Sequence, residues 1–271
     1  MRDHRAMSER FLALHHGERP LLIPNPWDVG SAVLLAALGF DALATTSGGF
    51  AATLGRLDGS VTRDEAIAHG AAIAAATALP VSADLENGFA DDPDGVAETV
   101  RLAVGAGLAG CSIEDYGGEE AGIYDLELAV ARVAAAARAA HEQPGGLVLT
   151  ARAENHIRGR PDLDDTVARL CAYAEAGADV VYAPGLTRIE DIRRVVTETG
   201  RPVNVLALPG VPPVAELAAA GVARISVGGA FAYAAIDALA QAARELREDG
   251  TYGYLERTRA GAALVRRAFG A

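Results

Sequence analysis

The sequence predicts a single (β/α)8 barrel of the TIM type. Eight short runs rich in Val, Ile, Leu and Thr alternate with stretches whose apolar residues have helical spacing. Turns that contain glycine precede every second run, as expected where a helix ends and a strand begins. Eight such units in about 250 residues favour a closed barrel over an open sheet.

The strand-like runs can be placed in order along the chain. They cover residues 21–27, 42–47, 81–86, 110–115, 147–154, 179–183, 203–208 and 224–227. We predict one domain over residues 1–271, with the barrel core at about 20–248. Residues 251–271 have helical periodicity after the eighth unit. They are predicted to form an additional C-terminal helix, which needs a surface to dock on.

Composition and net charge limit the classes of molecule that the protein could bind. The chain has 271 residues, 51% of them hydrophobic, which is enough for one large core. The formal net charge of -12 argues against nucleic acid or an anionic membrane as partner. Residues 1–10 are charged and lack the apolar stretch of a secretion signal, and no apolar run reaches membrane-spanning length. We therefore expect a cytoplasmic protein that acts on a small molecule.

The sequence contains no lysine, and all 24 basic residues are arginine. Schiff-base aldolases, pyridoxal-phosphate enzymes and P-loop nucleotidases each need a lysine. These classes are excluded for this sequence. Carbon–carbon bond chemistry here would need another electrophile, and a metal ion is the obvious candidate.

Carboxylates stand at two consecutive predicted strand ends. Asp84 and Glu86 are two residues apart and so point to the same side of their strand, and Glu114 ends the next strand. In a barrel the carboxyl ends of all strands face one cavity. Three converging acids need a cation, and Mg²⁺ or Mn²⁺ suits oxygen ligands. The alternative is that they are rim acids that cap the following helices.

The fifth run carries a second group of candidates. Arg152 lies in an apolar segment, where a buried charge needs a partner: a substrate carboxylate, or a salt bridge to Glu154 or Glu114. His156 follows two residues after Glu154. It could act as a general acid or base, or it could lie outside the site.

Further candidates follow the first and second runs. Small residues at Ser47, Gly48 and Gly49 would let backbone N–H groups approach an anion, although a tight turn would explain them equally well. Asp58, in a glycine-flanked loop, could lie near a metal. Trp27, the single tryptophan, could line the substrate pocket or simply pack.

Together these segments resemble the isocitrate lyase/phosphoenolpyruvate mutase superfamily over nearly the whole chain. The similarity is greatest to uncharacterised lyase-like members that carry the name carboxyvinyl-carboxyphosphonate phosphorylmutase. It rests on the order and spacing of Asn25-Pro-Trp-Asp28, Thr46-Ser-Gly-Gly49, Asp84-Leu-Glu-Asn-Gly88, Ile113-Glu-Asp115 and Ala151-Arg-Ala-Glu154.

The resemblance implies roles for the matching residues. Members use Mg²⁺ to hold a pyruvate-like enolate, so Asp84, Glu86 and Glu114 would be the metal acids and Asp58 an acid near the metal. Arg152 would clamp the substrate carboxylate, and residues 47–49 would bind the oxo acid through their backbone. Members also commonly form homotetramers in which a terminal helix is exchanged between neighbours, so the C-terminal helix is expected to be swapped between subunits.

Departures from the family pattern bear on the reaction. The loop at 116–125 lacks the Cys of isocitrate and methylisocitrate lyases, and it lacks the Lys and Thr-Asn pair of phosphonopyruvate enzymes. Decarboxylation needs no acid at the leaving group, whereas retro-aldol cleavage needs a base. The available candidates for that base are Tyr116, Glu119, Glu120, Tyr124 and His156.

We therefore predict a Mg²⁺-dependent lyase that cleaves a C–C bond of a small 2-oxo or 2-hydroxy carboxylic acid through an enolate. One alternative is a phosphonate or carboxyphosphonate phosphorylmutase that acts on a P–C bond. The other is a non-catalytic barrel that binds a 2-oxo acid.

Overall fold

The eight predicted strands form a nearly closed parallel barrel in the computed structural model, which describes residues 4–142 and 146–270. The hydrogen-bonded order is β1-β8-β7-β6-β5-β4-β3-β2. A backbone hydrogen bond from Ala44 N to Pro24 O, 3.1 Å long, links the two ends of this order. The strands are β1 Leu21–Ile23, β2 Leu43–Ala44, β3 Val81–Asp84, β4 Gly110–Glu114, β5 Val148–Arg152, β6 Val180–Tyr182, β7 Val203–Leu206 and β8 Arg224–Ser226.

Helices connect the strands and cover the outside of the barrel. Several begin at side-chain caps that the sequence supplies, such as Thr62 with Glu65 and Asp92 before Pro93. The helices are α1 His4–Leu14, α2 Val29–Ala37, α3 Ser47–Thr53, α4 Arg63–Ala76, α5 Pro93–Gly105, α6 Gly118–Ala121, α7 Leu126–His141, α8 Leu163–Glu175, α9 Ile189–Thr199, α10 Val214–Ala219, α11 Ala230–Arg244, which continues as one π-helical turn over Glu245–Asp249, and α12 Leu255–Phe269.

Helix α1 closes the amino-terminal end of the barrel. Phe11 is fully buried in a small apolar cluster with residues of β1, β5 and β6. A side chain at Gly110 would meet the Phe11 ring at 2.5 Å, so glycine is required there. His15, just after the helix, donates a hydrogen bond from Nδ1 to the carbonyl of Phe11 and is also buried. The open end of the barrel is therefore the carboxyl end of the strands.

The predicted C-terminal helix is present as α12, which packs against α2 of the same chain, with the Phe269 ring beside Gly30. Much of its apolar surface stays exposed, including Leu255 and Val265. Exchange of this helix between subunits remains a prediction. Among the described residues, no helix is long and apolar enough to cross a membrane.

Candidate active site at the carboxyl ends of the strands

Two adjoining chambers open at the carboxyl ends of the strands. The outer chamber, of about 490 Å³, is lined by Asp58, Glu86, Glu114, Tyr116, Arg152 and Arg158 among others. The inner chamber, of about 210 Å³, reaches into the barrel and is lined by residues that include Asp84, Arg152, Tyr182, Asn204, Arg224 and Ser226. Ser47, Asp58 and Arg152 border both chambers, so the two form one continuous site.

Arg152 is the centre of the charged network. Its Nε and Nη2 donate to Glu154 Oε1 at 3.0 and 2.8 Å, and its Nη1 donates to Asp84 Oδ1 at 3.0 Å. Nη2 also lies 3.0 Å from Glu114 Oε2. Burial alone would lower the pKa of Arg152, but the three carboxylates raise it well above its usual value. The guanidinium is thus permanently charged and held in one orientation.

A second arginine, which the sequence did not single out, completes this network. Arg158 Nη2 lies 3.5 Å from Glu114 Oε1, and its Nε lies 3.4 Å from Glu154 Oε2 without hydrogen-bond geometry. Its guanidinium stacks on the Tyr116 ring, 3.8 Å from the centroid. The signal for it in the sequence is its spacing of four residues from Glu154 along a helical turn. Arg158 joins the β5 loop to the β4 loop over the outer chamber.

Asp84 ends β3, whereas Glu86 lies in the turn that follows and not on the same strand as predicted, so the two acids differ in their surroundings. Asp84 is well supported, since it accepts from Arg152, from the Ser47 backbone N–H at 3.2 Å and from the Ser112 hydroxyl at 3.4 Å. Glu86 has a left-handed backbone with φ of 48°, and its Oε1 is buried without a hydrogen-bond partner among the described residues. Burial, followed by the charges of Asp84 and Asp58, raises the pKa of Glu86 to about 7.

These acids fit a hard divalent cation that keeps most of its water. In the described part of the chain no three Asp, Glu, His or Cys side chains converge as a ready-made cage. Mg²⁺ needs only one or two carboxylates and fills its octahedron with water and substrate oxygens. The unpaired Glu86 oxygen beside Asp84 is a polar group that such a cation or its waters would satisfy. The donor set is oxygen only, which suits Mg²⁺ or Mn²⁺.

The Ser47–Gly49 segment differs from its prediction as a strand end, because β2 stops at Ala44 and these residues form the first turn of α3. Thr46 caps that turn by accepting from the Gly49 N–H at 3.3 Å. Ser47 N–H binds Asp84, and Ser47 and Gly48 border the inner chamber. A Cβ on Gly48 would come within 2.7 Å of the Tyr233 hydroxyl and 3.2 Å of the Asp58 carboxylate. The segment therefore orients Asp84, and the absence of a side chain at Gly48 lets Tyr233 and Asp58 approach this wall of the inner chamber.

Four predicted site residues do not border either chamber: Trp27, Gly49, Glu154 and His156. Trp27 lies behind the first turn of α3, where its Cβ faces Gly49. Glu154 is 1% exposed and sits behind Arg152, which it orients. His156 packs against Gly185 in the loop after β6. Burial lowers the pKa of His156, and the charges of Asp191 and Asp162 partly offset this effect. The ring is therefore neutral at pH 7, and it lies outside both chambers.

The loop after β4 forms one wall of the outer chamber. Tyr116 and Glu119 line it, and Tyr116 is paired with Ile123 as a short antiparallel bridge. Tyr124, which the sequence also offered as a base, instead donates from its hydroxyl to Asp91 and accepts from Asn87 at 3.0 Å. Of the loop residues weighed as a base, Tyr116 and Glu119 are therefore the two that border the chamber.

Asp115, next to Glu114, serves the fold. Its Oδ1 accepts from the Glu154 N–H at 2.8 Å, and its Oδ2 accepts from Tyr173 at 2.6 Å and from Arg169 at 3.1 Å. Replacing Asp115 by Asn removes one of the two carboxylates that pair with the buried Arg169 and leaves Asp165, at 2.9 Å, as the other. We expect a loss of about 1.5–3 kcal/mol in the free energy of unfolding, measured by urea titration.

The matched control for this change is Asp64→Asn, because the Asp64 side chain is 89% exposed and, among the described residues, its ion pair is a long one with Arg63 at 3.8 Å. It should change the unfolding free energy by less than about 0.5 kcal/mol. Equal stability of the two variants would contradict a structural role for Asp115.

Comparison with known proteins agrees with this geometry. The family model for phosphoenolpyruvate phosphomutase matches residues 11–247, most of the chain. The chain belongs to the phosphoenolpyruvate phosphomutase family. The similarity to the isocitrate lyase/phosphoenolpyruvate mutase superfamily predicted from its motifs is thereby confirmed.

Individual members of the family extend the comparison. A solved structure from Burkholderia cenocepacia J2315, described only as a lyase/mutase, is 50% identical with a TM-score of 0.96 and covers 99% of this chain and 98% of that one. The oxaloacetate decarboxylase of Chromohalobacter salexigens is 29% identical over 250 residues, 88% of this chain and 84% of that protein. The structure of 2,3-dimethylmalate lyase is 30% identical with a TM-score of 0.81, covering 93% and 87%. Family members thus include carbon–carbon lyases as well as mutases.

Proposed function

We propose that this family member is a lyase that cleaves a C–C bond of a small 2-oxo or 2-hydroxy acid through an enolate, with the help of Mg²⁺ or Mn²⁺. In a 2-oxo acid the broken bond is one carbon away from the oxo carbon, and in a 2-hydroxy acid it is the bond to the hydroxyl-bearing carbon. The observation that carries the proposal is the arrangement around Arg152. A guanidinium fixed by three carboxylates borders both chambers, and the outer chamber also contains the unsatisfied Glu86 side chain. That combination suits a divalent cation together with an anionic substrate.

Asp84, Glu86 and Glu114 would hold the cation, which would supply Lewis-acid stabilisation of the negative charge that develops on the substrate oxygen. Arg152 provides the fixed positive charge that binds the substrate carboxylate. Because Glu154 anchors Nε and Nη2 from behind, the rest of the guanidinium faces the chamber, where the substrate competes with Asp84 and Glu114. The substrate is thus oriented before any bond breaks.

Decarboxylation is the reaction that needs the fewest catalytic groups beyond these residues. The bond to the departing carboxylate breaks, CO₂ leaves, and the electron pair moves into the 2-oxo group to give an enolate, which then takes a proton from water. No acid is needed at the leaving group. Tyr116, stacked on Arg158, and Glu119 in the β4 loop are placed to exclude bulk water or to move a proton. For a 2-hydroxy acid, one of these two would be the base.

The test is a product screen by ¹³C and ³¹P NMR with oxaloacetate, 2-alkylmalates, methylisocitrate and phosphonopyruvate, each with Mg²⁺ and with EDTA. Free cations decarboxylate oxaloacetate slowly, so the Asp84→Asn protein with the same Mg²⁺ is the control. EDTA-sensitive release of a 2-oxo acid from a carbon acid, absent in the control, is the expected result. Release from phosphonopyruvate alone would reject C–C cleavage in favour of P–C chemistry.

The phosphonate reaction is the second candidate, because the matching family model is that of phosphoenolpyruvate phosphomutase. A protein described as a phosphonomutase, again from B. cenocepacia J2315, is 36% identical. The third candidate is a non-catalytic 2-oxo acid-binding protein. It would be favoured by tight binding of a 2-oxo acid without turnover of any compound in the screen.

We also propose that the protein is a homotetramer that exchanges α12 between neighbours. Large apolar side chains are exposed along the C-terminal helices, more than a monomer needs to leave in water. They include Phe231, Ile236, Leu239, Leu255, Val265 and Phe269. Light scattering coupled to gel filtration should give about four times the chain mass of 27.9 kDa. A monomeric mass would contradict the proposal.

A further inference from the structure

The loop after β3, residues 85–92, carries Glu86 on an unusual backbone. Glu86 and Phe89 have positive φ angles of 48° and 55°, and Gly88 between them has a φ angle of 79°. Residues other than glycine rarely adopt this left-handed region, and they stay there only where the surrounding structure imposes it. The position of the Glu86 carboxylate at the outer chamber therefore depends on the contacts that hold this loop.

Arg132, on α7, holds the loop by its backbone. The arginine is 1% exposed. Its Nη1 donates to Ala90 O at 2.5 Å and to Asp91 O at 2.6 Å, and its Nη2 donates to Asn87 O. A guanidinium presents its donors in a rigid fork, which suits several fixed acceptors at once. Because all three acceptors are backbone carbonyls, Arg132 restrains the path of the chain just after Glu86.

Tyr124, near the end of the loop after β4, links that loop to the one after β3. Its ring lies against the Arg132 guanidinium, 4.2 Å from the centroid. Its hydroxyl donates to Asp91 Oδ1 at 2.5 Å and accepts from Asn87 Nδ2 at 3.0 Å. A Cβ on Gly117 would come within 2.5 Å of the same hydroxyl, so the loop after β4 packs directly on it. One hydroxyl group thus contacts both of the loops that line the outer chamber.

We propose that Tyr124 and Arg132 are positioning residues, which join the loops after β3 and β4 and thereby fix the Glu86 carboxylate where a divalent cation binds. The inference rests on the proposed function, since it concerns the cation of that site. Neither residue is among the described residues that line the two chambers, so both act through the loop and not on the substrate. Without this link, Glu86 can relax toward an ordinary backbone and carry its carboxylate away from the cation.

The test is Mn²⁺ binding without substrate, measured by electron paramagnetic resonance of the free ion. Tyr124→Phe removes only the hydroxyl. It should weaken Mn²⁺ binding by about tenfold, the effect expected from loss of one hydrogen bond to a charged group. Hydrogen–deuterium exchange of residues 85–92 should become faster in the same variant, because the loop then opens more easily. Neither measurement needs turnover.

Asp91 allows the hydrogen bond to be separated from the charge. Asp91→Asn and Asp91→Ala both remove the charge, but Asn keeps an oxygen that accepts from the Tyr124 hydroxyl. The Asn variant should bind Mn²⁺ within about threefold of the wild-type protein, whereas the Ala variant should match Tyr124→Phe. Since both Tyr124→Phe and Asp91→Ala break one bond, the double variant should bind no more weakly than either single variant.

Arg132→Lys tests the backbone contacts. Lysine keeps the charge but donates from one compact group, so it cannot replace the fork that reaches three carbonyls. Mn²⁺ binding should weaken at least as much as in Tyr124→Phe. If this variant fails to fold, the Tyr124 and Asp91 variants still decide the question.

Tyr173→Phe is the matched control. Tyr173 is fully buried and also donates its hydroxyl to an aspartate, Asp115 Oδ2 at 2.6 Å, but this bond ties α8 to the end of β4. Its loss should lower the melting temperature at least as much as Tyr124→Phe does. Mn²⁺ affinity and the exchange of residues 85–92 should stay at their wild-type values. A purely structural role for Tyr124 would make the two variants alike.

The outcomes separate this inference from the lyase proposal. If the wild-type protein binds Mn²⁺ and Tyr124→Phe binds it equally well, the positioning role is wrong and the lyase proposal stands. Unchanged exchange of residues 85–92 in Tyr124→Phe would also overturn the role. If the wild-type protein binds no Mn²⁺, the cation of the proposed function is rejected, and the positioning role is rejected with it.

Discussion

Replacing Asp84 by Asn is expected to reduce kcat/KM by about 10²–10³-fold while the protein keeps its fold. The substitution preserves shape but removes the charge that Arg152 Nη1 contacts at 3.0 Å and that the proposed cation needs. With its oxygen toward the Ser47 N–H and its amide group donating to the Ser112 hydroxyl, Asn can keep both of these contacts and lose only the one with Arg152. Activity is measured at saturating Mg²⁺, with circular dichroism to verify the fold.

Ser112→Ala is the matched control, because it removes only a 3.4 Å hydrogen bond to the same Asp84 carboxylate. It should cost less than about tenfold in kcat/KM. If the Asp84→Asn protein turned over at the wild-type rate, the assignment of Asp84 to a cation would be wrong.

Replacing Arg152 by Lys is expected to reduce kcat/KM by about a hundredfold, chiefly through a higher KM. Lysine keeps the charge but carries it on one compact ammonium group, whereas the guanidinium contacts Asp84, Glu114 and Glu154 simultaneously. Loss of one or two charge-assisted hydrogen bonds, at about 1.5–3 kcal/mol each, accounts for that factor. Steady-state kinetics on the substrate found in the product screen would measure it.

Arg194→Lys provides a control with similar local chemistry. Arg194 also bridges two acids, Asp164 at 2.6 Å and Glu198 at 2.7 Å, but its side chain is 38% exposed. Surface pairs of this kind contribute little, so neither activity nor stability should change measurably. An unchanged KM in Arg152→Lys would instead assign Arg152 to the fold alone.

The barrel could be predicted because each strand and helix carries its own local pattern. Runs of β-branched residues between helical stretches, with glycine at the turns, identify all eight strands, and Asp92 and Pro93 identify the start of α5. Helix α1 was not predicted because its amphipathic pattern is short and lies before the first strand, in a segment that is rich in charged residues. The end of β2 was placed too late because Ser47–Gly49 continues a strand-like sequence into a capped helical turn.

The candidate site was predictable where strand ends alone determine it. Asp84, Glu114 and Arg152 come together because they end three neighbouring strands: Glu114 is the register partner of Arg152, and Asp84 is paired with Ser112, two residues before Glu114. Arg158 and Arg224 were not predicted. Loop folding brings the first to Glu114, and the closure of the barrel brings β8 across from β5, neither of which has a local signature. His156 was overestimated because proximity in sequence to Glu154 does not fix the direction of a loop side chain.

The most direct test of the central claim is oxalate binding by calorimetry, with Mg²⁺ and with EDTA. Oxalate has the planar shape and charge of a pyruvate enolate, and the site is proposed to bind that species through a divalent cation and Arg152. We predict binding with Mg²⁺ that is lost with EDTA and in the Asp84→Asn protein. Equal binding with EDTA, or none in either condition, would contradict a cation-assisted enolate site.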